Sequence, residues 1–478
     1  MKRKITFGLV IVCLMISASC EDLLSIKETD LIAGDIALKT VENNESAIIG
    51  AYASVNNLMG VLLNSVFSDE VKTAGEFYNS ATVHEWQYGS QDITIRDNYT
   101  AINPQYQVID RANRVLSLVG KADSTRVGDN KLRSRLRGEA LFLRAYAHFE
   151  LFRFYCAKYT PKGLAMPYLE SPSLSPLARI DMQTYFLKLN RDIKDAKQLL
   201  PASTADINRA NIVAANGLHA RIALYSDQWE DAEKFATNYI DAPGMALATI
   251  VSFPTIWNDA SIAEQAFRTV RGSAAARAGS LYRNTSANTT NIGTVVWTVS
   301  SKLYALYSTS DVRRSAYFLN EPLLANASRP SLIIKKYAGG NYGSATENIA
   351  NSKLMRTSEM LLIRAEARAE LNKFTGANSA ESDLNLLRAN RITGYINVTL
   401  TSKSMAIDEV ILERFKELAF EGHRFWDLKR RGLPVSRVLS DLPTPTAVTL
   451  PADDYRFALP IPLTEMNANR LMVQNSGY

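Results

Sequence analysis

The chain has 478 residues and a net charge of +6, of which Lys2, Arg3 and Lys4 carry three, leaving +3 for the remainder. So small and evenly spread a surplus excludes a nucleic-acid surface. The apolar fraction of 46% and the charged fraction of 21% are those of a soluble globular protein, and the length implies one large or two fused globular units.

Lys2-Arg3-Lys4 reads as the positive start of a secretory signal, and Ile5 to Ile16 as its apolar run, too short to span a bilayer comfortably. Ser17-Ala18-Ser19-Cys20 resembles a bacterial lipobox, with cleavage before Cys20 and acylation of that residue. The other cysteines are Cys13, removed with the signal, and Cys156, so no intramolecular disulfide is expected. No later stretch reads as a membrane span. Residues 1–19 are therefore expected to be a lipoprotein signal peptide, 20–40 a lipidated tether, and 41–478 a single folded unit.

Within that unit, helical spacing of apolar residues predicts helices over Val41–Met59, Tyr99–Leu118, Lys131–Tyr155 and Gln183–Leu200. Gly60 to Asn98 loses the period and reads as a long ordered loop, a type often functional. Residues 209–240 carry a helical hairpin. Ala214, Ala215, Ala220 and Ala223 lie on its first helix, and Trp229, Ala232, Phe235, Ala236 and Tyr239 on its second. That small-into-large pattern has roughly the length of a tetratricopeptide repeat. Met355–Ile392 repeats it, and such hairpins must stack to bury their faces. Ala242–Ser352 is irregular, with strand candidates at Thr294–Val299 and Ser331–Tyr337.

Leu412 to Gly432, LERFKELAFEGHRFWDLKRRG, reads as a central helix. On a helical plot Ile411, Leu412, Phe415, Leu418, Ala419, Gly422, Phe425 and Trp426 share a broad face. Glu413, Glu417 and Glu421 stack at i, i+4, i+8 on the other side, where like charges repel. Cationic partners from elsewhere in the chain are therefore expected over that face.

Four stretches resemble the SusD/RagB family of Bacteroidetes surface nutrient-binding lipoproteins. They are GEALFLRAYAHFELFRFY at Gly138–Tyr155, RTSEMLLIRAEARAELN at Arg356–Asn372, the central stretch, and the terminus. The central stretch matches through Glu413, Arg414, Glu417, Leu418, Glu421, Gly422, Arg424, Asp427, Leu428 and Arg430. The terminus matches through Ile461, Pro462, Glu465, Asn469, Gln474, Asn475, Gly477 and Tyr478.

The resemblance implies an all-α fold of stacked tetratricopeptide-like hairpins with a loop-rich lobe carrying the ligand site. The helical core would come from about 41–59, 99–240 and 352–432, and the lobe from about 60–98 and 242–351. It further implies lipidation at Cys20, an outer-membrane location facing the cell exterior, and a TonB-dependent SusC-like transporter as partner. Glu21-Asp22 resembles the surface-export signal of that phylum. The role implied is capture of an oligosaccharide for import; a peptide-capturing or scaffolding lid is the alternative.

An enzyme is not expected. His84, His148, His219 and His423 are isolated from one another, and neither GxSxG, a P-loop nor GxGxxG occurs. No cofactor or metal is implied. Glu413, Glu417 and Glu421 resemble a glycosidase pair only in spacing; with Arg414, Arg424 and Asp427 they are expected to form a structural ion network. Sugars pack on aromatic faces and hydrogen-bond to carboxylates and amides. The expected ligand residues are therefore Trp86 and Trp297, with Tyr78, Tyr88, Asp69, Asn98 and Tyr304, in two polar, aromatic loop regions.

Overall fold

The computed structural model describes residues 34–74, 81–272, 275–325, 331–443 and 447–478. The expected signal peptide, the expected lipidation site Cys20 and the expected ligand residue Tyr78 lie outside the described residues.

The helices stack in chain order. α1 (Val41–Ser54) packs on α3 (Ile102–Leu118) and α4 (Asp129–Tyr155), with α2 (Leu58–Phe67) between them in sequence. From there α4 packs on α5 (Met182–Leu199), α5 on α6 (Ile212–Tyr225), α6 on α7 (Trp229–Ile240) and α7 on α8 (Thr357–Glu370). α8 then meets both α9 (Ala380–Ala389) and α10 (Lys403–Glu417). This is the stacked-hairpin architecture expected from the alanine-aromatic texture.

Small residues set the spacing of that stack. Ala214, Ala215, Ala220 and Ala223 are all buried on α6. A side chain at Gly217 would start 3.1 Å from the Tyr239 ring and from the Met355 sulfur. The tight approach lets α6 bury its whole length, and each fully buried large apolar side chain it covers contributes about 1.5–3 kcal/mol.

The lobe is built from short antiparallel pairs. β1 (Val71–Thr73) pairs with β3 (Trp297–Val299), and β4 (Phe318–Asn320) with β5 (Leu332–Ile334), while β3 lies against β5. A separate pair, β2 (Gln265–Thr269) with β6 (Ser352–Arg356), leads directly into α8. A small satellite core of Ala74, Ile292, Val295, Leu324 and Ile333, with Leu319 and Tyr342 packed on it, fills the lobe.

Two expectations fail. The stretch after residue 60 is not all loop. Val55–Asn57 interrupts the first helix, and Leu58–Phe67 resumes as a helix buried on nearly every side. It has no amphipathic period because it has no solvent face. Residues 41–67 together are long and apolar enough to cross a membrane, but they are broken at this point and their buried residues belong to the core.

The central stretch is also not one helix. α10 ends at Glu417, residues 418–423 form a turn, and α11 (Arg424–Arg431) starts afresh. Phe420 (φ 63°) and Gly422 (φ 83°) both adopt left-handed backbone there. A Cβ at Gly422 would lie 3.3 Å from the backbone of Gly60 and Val61. The expected close backbone approach is real, but a turn makes it rather than a helix face.

Gly422→Ala is therefore expected to destabilise the protein by about 1–2 kcal/mol from the left-handed backbone alone, with more from the contact on α2. Denaturant unfolding measures this; an unchanged midpoint would mean that the turn relaxes freely.

Candidate functional site

The carboxylate stripe meets its cationic partners. Glu417 sits among three guanidiniums, with Arg391 at 3.1 Å, Arg313 at 3.1 Å and Arg356 at 3.2 Å. Glu413 pairs with Arg313 and Arg388, each at 2.6 Å. Glu421 pairs with Arg356 at 2.7 Å and Lys336 at 2.8 Å. Asp311 and Glu264 complete the set through Arg313, Arg356 and Arg391. The Lys336 ammonium also lies 3.9 Å from the centre of the Tyr317 ring and 4.1 Å from that of Trp257.

Glu413 and Glu417 are fully buried, so the pair that resembles glycosidase carboxylates offers no open face to a sugar. Burial opposes their charge, but the surrounding guanidiniums outweigh it and hold Glu413 down at about 2 and Glu417 lower still. A second set ties α11 down: Asp427 bonds Arg414 and Arg430, each at 2.8 Å, and Arg430 bonds Glu366.

Arg424 pairs with neither Glu413, Glu417 nor Glu421. It forks onto Asp69 with bonds of 2.8 and 2.9 Å, and Lys302 bonds the same carboxylate at 2.7 Å. Asp69, named from sequence as a sugar ligand, is 1% exposed and serves this ion pair instead. No spacing signal links residue 69 to 424, so the sequence offered no route to the pairing.

The other named residues divide in two. Trp86 is 3% exposed; its indole N–H donates to the Phe67 carbonyl, and the Arg437 guanidinium stacks 4.0 Å from its ring. Tyr88 is buried and donates to the Arg456 carbonyl. Trp297 is buried in β3 with the His84 ring 5.1 Å away. These rings pack their own loops onto the core. Asn98 is exposed at the end of the Ile93–Asn98 helix, and Tyr304 is half-buried.

Tyr304 packs against β4. Its ring meets Phe318 at 5.4 Å, and Arg314 lies 4.7 Å over it. Three residues further along is the buried Glu321, which adds to burial in raising the hydroxyl pKa of Tyr342, a second half-buried tyrosine, over which Arg283 lies at 4.8 Å. Strand geometry puts positions 318 and 321 about 10 Å apart. Exposed Asn320 lies between them. Tyr304 packs on Phe318, while Tyr342 packs with Leu319 on the satellite core, so alternation along the strand sets the two half-open rings on opposite faces of β4. Arg283 is buried and is itself locked by Glu347 at 2.7 Å.

The four histidines are held neutral, chiefly by burial: His148 and His219 are lowered to about 3, and His84 and His423 well below their usual value. Among the described residues no group of three or more His, Cys, Asp or Glu converges to hold a metal. The Cys156 thiol is buried and pushed up.

Stacked helical hairpins carrying a loop-rich lobe, locked by buried ion pairs, define a class of helical binding scaffold. The SusD family model matches residues 323–478, and a model described as "Starch-binding associating with outer membrane" matches residues 33–224. The chain belongs to the SusD/RagB family. It is 24% identical to SusD-like protein P2 of Formosa agariphila over the whole of both chains. A SusD superfamily protein from Bacteroides thetaiotaomicron superposes with a TM-score of 0.77 at 23% identity, covering 91% of this chain and 99% of that one. Surface glycan-binding protein A of the same organism, solved with laminarihexaose, superposes with a TM-score of 0.72 at 20% identity, over 91% and 99%.

Two outcomes are expected. Trp86→Ala and Trp297→Ala should each cost roughly 3–5 kcal/mol, as for buried aromatics, and lower the melting temperature. A melting curve unchanged by either would show that the ring is not core. In acid, Glu413 and Asp69 have folded pKa values of about 2, below their ordinary 4.5 and 3.8. Their stabilisation is present above pH 4.5 and is lost as pH falls through about 2. Urea unfolding of Glu413→Gln across that window should show a shallower acid slope than the parent; parallel slopes would remove Glu413 from the acid response.

Proposed function

We propose that the protein is an outer-membrane lipoprotein, anchored through Cys20 and facing the cell exterior. It captures an oligosaccharide and hands it to a TonB-dependent SusC-like transporter. It binds without turning the ligand over. Family membership supports the role, and the laminarihexaose complex of a protein of the same fold supports a glycan as ligand.

The observation that carries the reading is the partial exposure of two tyrosines that flank β4. Tyr304 and Tyr342 keep part of their surface open while most aromatic side chains of the lobe are buried. Sugar C–H faces pack on such rings, and Arg314 and the exposed Asn320 supply donors and acceptors for the hydroxyls. Asn98 and Tyr78, named from sequence, stay in the proposed set.

Calorimetric titration with a panel of oligosaccharides, laminarihexaose included, tests the reading. Tyr342→Ala and Tyr304→Ala should each weaken the bound glycan about tenfold with little loss of melting temperature. Failure of every glycan, together with retention of peptides, would replace the oligosaccharide with a peptide ligand. For the anchor, Cys20→Ser should abolish acyl labelling and release the protein from the membrane fraction.

A further inference from the structure

An open groove of about 640 Å³ lies along the central stretch, and neither Tyr304 nor Tyr342 lines it. Its floor is apolar: Leu306, Ile407, Ile411, Leu412, Phe415 and Leu433. Leu412 is 38% exposed and Leu433 37%, although the helical plot places Leu412 on the packed face. The residues from 403 to 415 that line it form one stripe of α10, which runs for about 18 Å.

Each end of the groove carries cations that share carboxylates. At one end Lys302 and Arg424 share the single carboxylate of Asp69. At the other, Lys403 and Arg431 share Glu370. Arg431 also leans on Glu366, already bonded to Arg430, while Asp427 serves Arg414 and Arg430. That end therefore sets four cations against three carboxylates; Lys158 and Asp227, which also face it, cancel. The exposed Asp408 is the one acid lining the groove itself. The balance stays positive over an unpartnered apolar floor.

We propose that this groove binds a single-chain amphiphile with an anionic head group: the chain lies along α10 and the head meets a cationic end. Volume and lining suit a small ligand of this type, mostly apolar with a few convergent polar groups. A free fatty acid is the ligand with that chemistry.

The test is calorimetric titration of decanoate, below its micelle concentration, into the chain from residue 21, which keeps every described residue. One equivalent should bind, with 1-decanol and decyltrimethylammonium at least tenfold weaker. Leu412→Asp and Lys403→Glu should each weaken decanoate about tenfold at unchanged melting temperature, and Lys403→Arg should restore it. Sedimentation with phosphatidylglycerol vesicles, whose lipids carry two chains, should show no binding through the groove: Leu412→Asp should leave any vesicle binding unchanged, and its loss in that variant would replace the fatty acid with a membrane surface. Binding of vesicles without decanoate would overturn the site, as would no binding at all, equal binding of 1-decanol, or indifference of decanoate to Leu412→Asp.

Discussion

Everything in this protein hangs on the carboxylate of Glu417, buried among Arg313, Arg356 and Arg391. Its partners come from distant parts of the chain: Arg313 from the lobe, Arg356 from the end of β6, Arg391 just past α9. A charge this deep is tolerated only where its partners surround it, because removing one member of a buried pair costs roughly 3–5 kcal/mol. The network is therefore weak evidence for high stability but strong evidence for a fixed arrangement. A lobe docked one turn out of place would leave guanidiniums without carboxylates. Lys336, caged by Trp257 and Tyr317 while bonding Glu421, adds a second tie between lobe and core.

The turn at residues 418–423 makes that arrangement possible. Phe420 swings out of helical register and packs against Tyr282 at 5.5 Å and Phe318 at 5.9 Å. Gly422 meets the backbone of α2. The turn frees α11 to aim Arg424 at Asp69 and Asp427 at Arg414, which a continuous helix would not allow. A helical plot assumes continuity, so it grouped Glu421 with Arg424 as one unit. The sequence showed that the acids needed cations; it held no signal for which ones, since the partners lie far off along the chain.

Legibility followed solvent exposure. Helices with one wet face, such as 102–118 and 182–199, were readable from their period, as was the hairpin at 212–240 from its alanines. Leu58–Phe67 was not, because a helix buried all round has no period to read. The ligand loops failed for a different reason. Trp86 and Tyr304 sit in equally polar, aromatic stretches, yet one ring is sealed under Arg437 and the other stays half open. Composition records that an aromatic is present; only packing decides whether its face is spent on the protein or kept for a ligand.

The segment from 302 to 306 shows how close two such surfaces can lie. Lys302 and Leu306, four residues apart, share the side that lines the groove. Tyr304, midway between them, turns to the opposite side and meets Phe318 and Arg314. Its position is fixed from both directions: Ser300 caps the short helix through the Leu303 N–H, and Asp441 accepts from the Ser301 N–H. The same turn also delivers Lys302 to Asp69, and through Asp69 to Arg424 on α11. Any movement of this turn must therefore either break a buried ion pair or carry α11 with it. Tyr304 is thus held by the central stretch even though nothing in that stretch touches the face it leaves open.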